Sequence, residues 1–213
     1  MIKAVLWDFG GVLTTSPFEQ FKLFEEKNGL PVNFLRTVNS TNPDRNAWAK
    51  FERSMVTAAE FDQLFLEEST ALGHPVPGSE VIKLLSGALR PRMIAALNDI
   101  RKDFKCVCLT NNVSAGKGPG MSRSEEAQKA VLDVMALFDQ VIESSKIGMR
   151  KPDPEIYTYT CEQMGVEPAE IVYLDDLGIN LKPAAAMGMK TIKVVSEDQT
   201  LTELGQYLDR QFD

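Results

Sequence analysis

The chain has 213 residues, 44% of them hydrophobic, with 23 basic and 30 acidic side chains and a formal net charge of −7. That length and apolar content suit one large domain, or a core carrying a smaller insert. The negative balance argues against general nucleic-acid binding, which needs a basic face, and no apolar run reaches the length of a membrane-spanning helix.

The chain opens on Ile2-Lys3-Ala4-Val5-Leu6-Trp7, an apolar run that ends in Asp8 and then in Gly10-Gly11. The run is too short for a signal peptide and reads as a strand buried on both faces, as in a parallel sheet. Open α/β sheets bind ligands at the carboxyl ends of their strands, which is where Asp8 falls. Gly10 and Gly11 let the backbone turn sharply and approach a ligand. A turn or helix-capping role fits Asp8 equally well on this stretch alone.

After Thr15 the pattern turns helical. Phe18, Phe21, Leu23 and Phe24 lie close to one stripe, and Asn28-Gly29 stops it. Further helices are expected over 33–39, 43–53 and 58–72, the last opened by a Thr57/Glu60 capping box. Pro75, Pro77 and Gly78 break the chain before a short helix over 80–85. No strand signal falls between 17 and 89, so an all-helical insert over the strand ends is expected. Phe18, Phe21, Phe24, Trp48, Phe51, Phe61 and Phe65 are assigned mostly to its core. The single histidine, His74, falls in a surface loop with no nucleophile beside it.

An alternating α/β pattern begins at Arg90-Pro91. Pro91 opens a helix to about 103, and 105–110 is a second buried strand ending in Thr110-Asn111-Asn112. Cys106 and Cys108 alternate along it and point to one face. Three cysteines without metal-site spacing are expected to be reduced, buried thiols of a cytosolic protein. The loop with Gly116, Lys117, Gly118 and Gly120 is not followed at once by a helix, as a P-loop would be, and reads as mobile. Ser122 with Glu125 opens a helix to about 137, and 138–143 is a third strand. Asp153 as N-cap and Pro154 as first residue start a helix closed by Gly165, with Lys151 held just before it by Pro152. Strand 171–174 ends in Asp175-Asp176, adjacent carboxylates that repel unless a cation lies between them, a setting a hard divalent ion suits. A helix over 180–187, a strand over 190–195 and a last helix opened by Thr200/Glu203 complete the chain.

Four strand-end stretches therefore stand in order: Asp8-Phe9-Gly10-Gly11-Val12, Thr110-Asn111, Lys151-Pro152 and Asp175-Asp176. In order and spacing they resemble the four motifs of the haloacid dehalogenase (HAD) superfamily, most closely the N-terminal phosphatase domain of soluble epoxide hydrolases. Ile142-Glu143-Ser144, Gly148-Met149 and Asn180-Leu181-Lys182-Pro183-Ala184 also look like that domain. The resemblance implies an α/β fold with a Rossmann-like parallel-sheet core, residues 1–15 and 90–213, and a small helical cap, residues 16–89. It implies a cytoplasmic Mg2+-dependent phosphatase of a small phosphorylated metabolite. Asp8 would be the nucleophile, and Thr110 and Lys151 would complete the catalytic set. Phe9, Gly10 and Asn111 would bind substrate. Asp8, Gly10 (through its carbonyl), Asp175 and Asp176 would hold the metal.

One position departs from that pattern. Phosphatases of the superfamily usually carry a second aspartate two residues after the nucleophile, where this chain has Gly10. That aspartate protonates the leaving oxygen, a role typically worth about 10²–10⁴ in rate. Unless Asn111 or a cap residue such as Glu19, Asp44 or Glu52 substitutes, substrates with good leaving groups are favoured. Two other readings follow from Gly10: a 2-haloacid dehalogenase, whose family members also lack this aspartate, and a non-catalytic protein that binds a ligand or partner. Asp175-Asp176 argues against the first, and retention of Asp8, Thr110, Lys151 and Asp176 against the second.

Overall fold

The computed structural model describes residues 1–113 and 125–212. Five strands form one sheet: β1 (Ala4–Trp7), β2 (Lys105–Thr110), β3 (Gln140–Glu143), β4 (Ile171–Asp175) and β5 (Lys190–Lys193). Their order is β3-β2-β1-β4-β5, and every neighbouring pair is parallel. β1 is therefore the central strand and is buried throughout, which is why its sequence is an unbroken apolar run. Trp7 pairs with Cys108 on one side and Leu174 on the other. One step on, Asp8 lies level with Asp175 and one residue short of Thr110, so the register alone gathers three motif residues at one sheet edge.

Period-two alternation sends side chains to opposite faces. Val5, Trp7, Cys106, Cys108, Val172 and Leu174 join one core cluster. It is covered by α6 (Pro91–Ile100), α7 (Glu125–Met135) and α11 (Glu197–Leu208). Ala4, Leu6, Val107, Leu109, Ile171 and Tyr173 join the other cluster, under α9 (Pro154–Met164) and α10 (Gly178–Ala186). The short α8 (Ser144–Ile147) follows β3 directly.

The segment between β1 and α6 is helical, as its periodicity predicts. It holds α1 (Pro17–Asn28), α2 (Phe34–Ser40), α3 (Ala47–Glu52), α4 (Ala58–Ala71) and α5 (Gly78–Ile82). These helices share a third cluster of their own, in which Phe51 stacks on Phe61 at 4.4 Å. A fully buried phenylalanine contributes roughly 1.5–3 kcal/mol, so the fully buried Phe51, Phe61 and Phe65 are a large part of what this cluster contributes. The Thr57/Glu60 capping box is formed. The two connections to the sheet run side by side: Thr14 bridges Leu89, Thr15 N–H donates to the Ala88 carbonyl, and Arg90 N–H to the Leu13 carbonyl. Val113, just beyond the β2 end, packs into the helical unit's cluster. His74 is half-buried, edge-on to Phe34 at 5.2 Å.

Some sequence expectations are corrected. α11 opens at Ser196/Gln199, not at Thr200/Glu203. Glutamine serves the capping box as glutamate would, and Thr200 is a buried interior residue whose hydroxyl donates to the Ser196 carbonyl at 2.7 Å. Asp153 precedes α9 but makes no side-chain cap bond, because its carboxylate is drawn to Arg53, 100 residues away, at 2.6 Å. α10 starts at Gly178, before Asn180, because Asp175 Oδ1 accepts the Leu177 N–H and turns the chain early. Gly116, Lys117, Gly118, Gly120 and Ser122 lie outside the described residues. No helix is long and apolar enough to cross a membrane among the described residues.

Candidate active site

β1 delivers Asp8 to the carboxyl edge of the sheet, with its N–H tied to the Leu174 carbonyl at 2.8 Å. One of its carboxylate oxygens, Oδ1, accepts the Phe9 N–H at 2.7 Å and lies 2.9 Å from the Lys151 ammonium. No donor is placed on Oδ2 among the described residues. The Phe9 ring packs into the core, so only its backbone faces the site. Thr110, at the end of β2, is 5% exposed. Asn111 follows it, and its side-chain amide clamps the Lys151 backbone in both directions. Nδ2 donates to the Lys151 carbonyl at 3.0 Å, and the Lys151 N–H donates to Oδ1 at 2.9 Å.

Lys151 is 1% exposed and bridges two carboxylates, Asp8 at 2.9 Å and Asp175 at 2.8 Å. Burial alone would discharge the amine, but Asp175 and then Asp8 more than offset it and hold its pKa above the ordinary lysine value. Asp175 is fully buried. Its oxygens accept from Lys151, the Tyr173 hydroxyl, the Leu177 N–H and Asn180 Nδ2. These bonds fix Asp175 as the anchor for Lys151.

Asp176 is less enclosed, and its Oδ2 accepts from the Ser16 hydroxyl at 3.1 Å. Gly11 passes directly over it: a Cβ there would lie 2.2 Å from Asp176 Oδ2, and Gly11 has φ +75°. No side chain fits at position 11. At Gly10 the space is open, with no heavy atom within 4 Å of a Cβ placed there.

Asp8, Asp175 and Asp176 each offer an oxygen within 4.8 Å of the others. One ammonium faces three carboxylates, which leaves net negative charge in a buried place. Asp8 is consequently pushed well above the ordinary carboxylate range by burial, with Lys151 pulling it back and Asp175 and Asp176 adding to the rise. Burial and then Asp175 push Asp176 up to about 6. A hard divalent cation with oxygen ligands fits such a set, because it neutralises charge the protein leaves uncompensated.

The structure thus brings Asp8, Thr110, Asn111, Lys151, Asp175, Asp176 and the Gly10 backbone to one edge. Sequence reasoning overlooked Tyr173 and Ser16. Tyr173 stands two residues before Asp175 on the same strand face, a signal that was there to be read. Ser16 reaches Asp176 across 160 residues and left none. Of the acidic residues of the helical unit weighed as substitutes for the missing aspartate, Glu19 and Asp44 are exposed and Glu52 is buried beside Asn111.

A family model described as haloacid dehalogenase-like hydrolase matches residues 2–188. Bifunctional epoxide hydrolase 2 of Mus musculus is 30% identical over 99% of this chain and 40% of its own length. The chain spans less than half the length of the mammalian curated relatives it matches. A sesquiterpene phosphatase of Aspergillus oryzae is 29% identical over 96% of this chain and 95% of its own length. Among solved structures, a HAD-family enzyme of Bacteroides thetaiotaomicron in complex with magnesium and inorganic phosphate superposes with a TM-score of 0.61. It is 22% identical and covers 92% of this chain and 96% of its own.

Proposed function

The chain belongs to the haloacid dehalogenase-like hydrolases, and on that premise we propose that it is a Mg2+-dependent phosphatase of a small phosphorylated metabolite, acting through an aspartyl-phosphate on Asp8. The observation that carries this reading is the uncompensated acidic cluster of Asp8, Asp175 and Asp176 around one buried ammonium. A full-length relative that is a phosphatase supports it.

The Asp8 carboxylate attacks phosphorus while the bond to the leaving oxygen breaks, so one difficult displacement becomes two easier ones. Water then attacks phosphorus, the bond to Asp8 breaks, and inorganic phosphate leaves with Asp8 restored. Thr110 Oγ1 and the Asn111 N–H bind phosphoryl oxygens. The Lys151 ammonium, held by Asp175, balances charge between Asp8 and the incoming phosphate. Mg2+, held by Asp8, Asp176 and the Gly10 carbonyl, would supply the neutralisation that lets an anionic nucleophile meet an anionic substrate. Asp175 contributes chiefly by fixing Lys151, since both its oxygens already carry hydrogen bonds.

Nothing at Gly10 can protonate the leaving group, so acyl, aryl and sugar-1-phosphates are turned over faster than simple alkyl phosphates. Turnover measured across monoesters of graded leaving-group pKa tests this, and a flat profile would show that another acid is present. Gly10 also fits a 2-haloacid dehalogenase, in which Asp8 attacks carbon and halide leaves. Metal-free halide release from a 2-haloacid, without phosphatase activity, would replace the phosphatase reading by that one.

A further inference from the structure

Glu52 ends α3 of the helical unit, yet it is 5% exposed and reaches the catalytic loops. Its Oε2 lies 2.6 Å from Arg150 Nε and accepts from Asn111 Nδ2 at 3.4 Å. Asn111 is the residue whose amide clamps the Lys151 backbone on both sides. Lys151 in turn stands 2.9 Å from Asp8. A continuous path of polar contacts therefore runs from the helical unit to the reacting carboxylate.

Three other contacts cross the same seam. Arg53 pairs with Asp153 at 2.6 Å, the Ser54 hydroxyl donates to the Ser145 carbonyl at 2.8 Å, and Arg150 donates to the Pro43 carbonyl at 3.0 Å. These hold the two units together without touching Asn111 or Lys151 through a side chain. Glu52 does both. A buried carboxylate that pairs with one guanidinium and accepts from one side-chain amide is held in place, which suits an anchor. Burial raises its pKa, and Arg150, Trp48 and Lys151 draw it back.

We propose that Glu52 is a positioning residue that registers the docked helical unit against Asn111 and, through the two Asn111 bonds to the Lys151 backbone, sets the Lys151 ammonium against Asp8. Its kinetic consequence rests on the phosphatase reading; its structural consequence does not. Small displacements of a catalytic group cost about 10²-fold in rate, so loss of this path carries a large kinetic effect.

The test compares Glu52→Ala, Glu52→Gln and Arg53→Ala, the last breaking a neighbouring seam contact. Two quantities are read: kcat and KM for an aryl phosphate with Mg2+, and amide hydrogen exchange of the peptide containing Lys151. Glu52→Ala should lower kcat by about 10- to 100-fold, with a smaller change in KM, and speed exchange at Lys151. Glu52→Gln keeps acceptor and shape and should recover most of both. Arg53→Ala should leave Lys151 protected and kcat close to wild type. Should Glu52→Ala fail to fold, Glu52→Asp withdraws the carboxylate by one methylene and carries the same comparison. Glu52→Gln as slow as Glu52→Ala, with Lys151 still protected, would make Glu52 a proton carrier and overturn the proposal. Equal effects from Arg53→Ala and Glu52→Ala would reduce it to one of several docking contacts. A wild-type protein without phosphatase turnover would sink the phosphatase reading, while the exchange comparison would still decide the positioning role.

Discussion

Gly10→Asp should install the proton donor that this site lacks. Position 10 has room, since a Cβ there meets no heavy atom within 4 Å, whereas one at Gly11 would strike Asp176 at 2.2 Å. A general acid is worth about 10²–10⁴ in rate when the leaving group needs a proton. A fourth carboxylate at roughly 6 Å from the existing cluster costs about 3 kcal/mol at an effective dielectric of 20, which is about two decades. Saturating Mg2+ offsets part of that repulsion. The expected net change in kcat/KM is about a 1- to 100-fold gain for an alkyl phosphate and a loss of up to about 100-fold for an aryl phosphate, so the alkyl-to-aryl ratio rises by about 10²- to 10⁴-fold. The assay is the ratio of the two substrates in wild type, Gly10→Asp and Gly10→Ala. A ratio unchanged by Gly10→Asp, or changed equally by Gly10→Ala, would refute the argument that proton donation is the missing function.

Other outcomes follow from the same geometry. Asp176 is held near 6 against an unfolded value of 3.8, so the folded metal-free protein binds the extra proton. The stability this one group contributes is full below about pH 4 and is lost, by about 3 kcal/mol, as pH rises from 4 through 6. Mg2+ should accordingly raise Tm more at pH 7.5 than at pH 5, and equal gains by thermal scanning would contradict it. Burial pushes the Cys106 thiol up to about 12 and Cys108 well above its ordinary value, while Cys161 is only half-buried. A thiol titration should therefore read at most one cysteine in the native protein and all three after unfolding; rapid reaction of two or more in the fold would be inconsistent with the packing. Thr57→Ala removes the side-chain half of the α4 capping box, the Thr57 hydroxyl that accepts the Glu60 N–H, and leaves the Thr57 N–H to the Glu60 carboxylate; it should lower stability by about 1 kcal/mol in a urea titration, with activity per folded molecule unchanged.

Much of the site was legible because each motif ends a buried strand. Apolar runs that stop in Asp8, Thr110 and Asp175-Asp176 announce a parallel sheet and its ligand-binding edge in local sequence. The helical unit was legible for the same reason, from stripes of phenylalanine without any alternating stretch. What stayed hidden depends on distant partners. Asp153 looks like an N-cap until Arg53 is brought to it, and Glu52 cannot be ranked above Glu19 or Asp44 until α3 docks beside Asn111. Asp175 and Asp176 look alike in sequence, yet Tyr173, Asn180 and Lys151 make one an anchor and leave the other partnered by Ser16. The α11 start was missed for a local reason: Ser196 with Gln199 is a capping box with an amide in place of the acid.

The most direct test is hydrolysis of an aryl phosphate by wild type and Asp8→Asn, with and without Mg2+, with acid-quenched wild-type samples taken for peptide mass spectrometry. Mg2+-dependent turnover and a phosphorylated peptide containing Asp8, both lost in Asp8→Asn, is the result expected. Turnover that survives in Asp8→Asn, or a wild-type enzyme that releases halide from a 2-haloacid without metal and no phosphate from any ester, would contradict it.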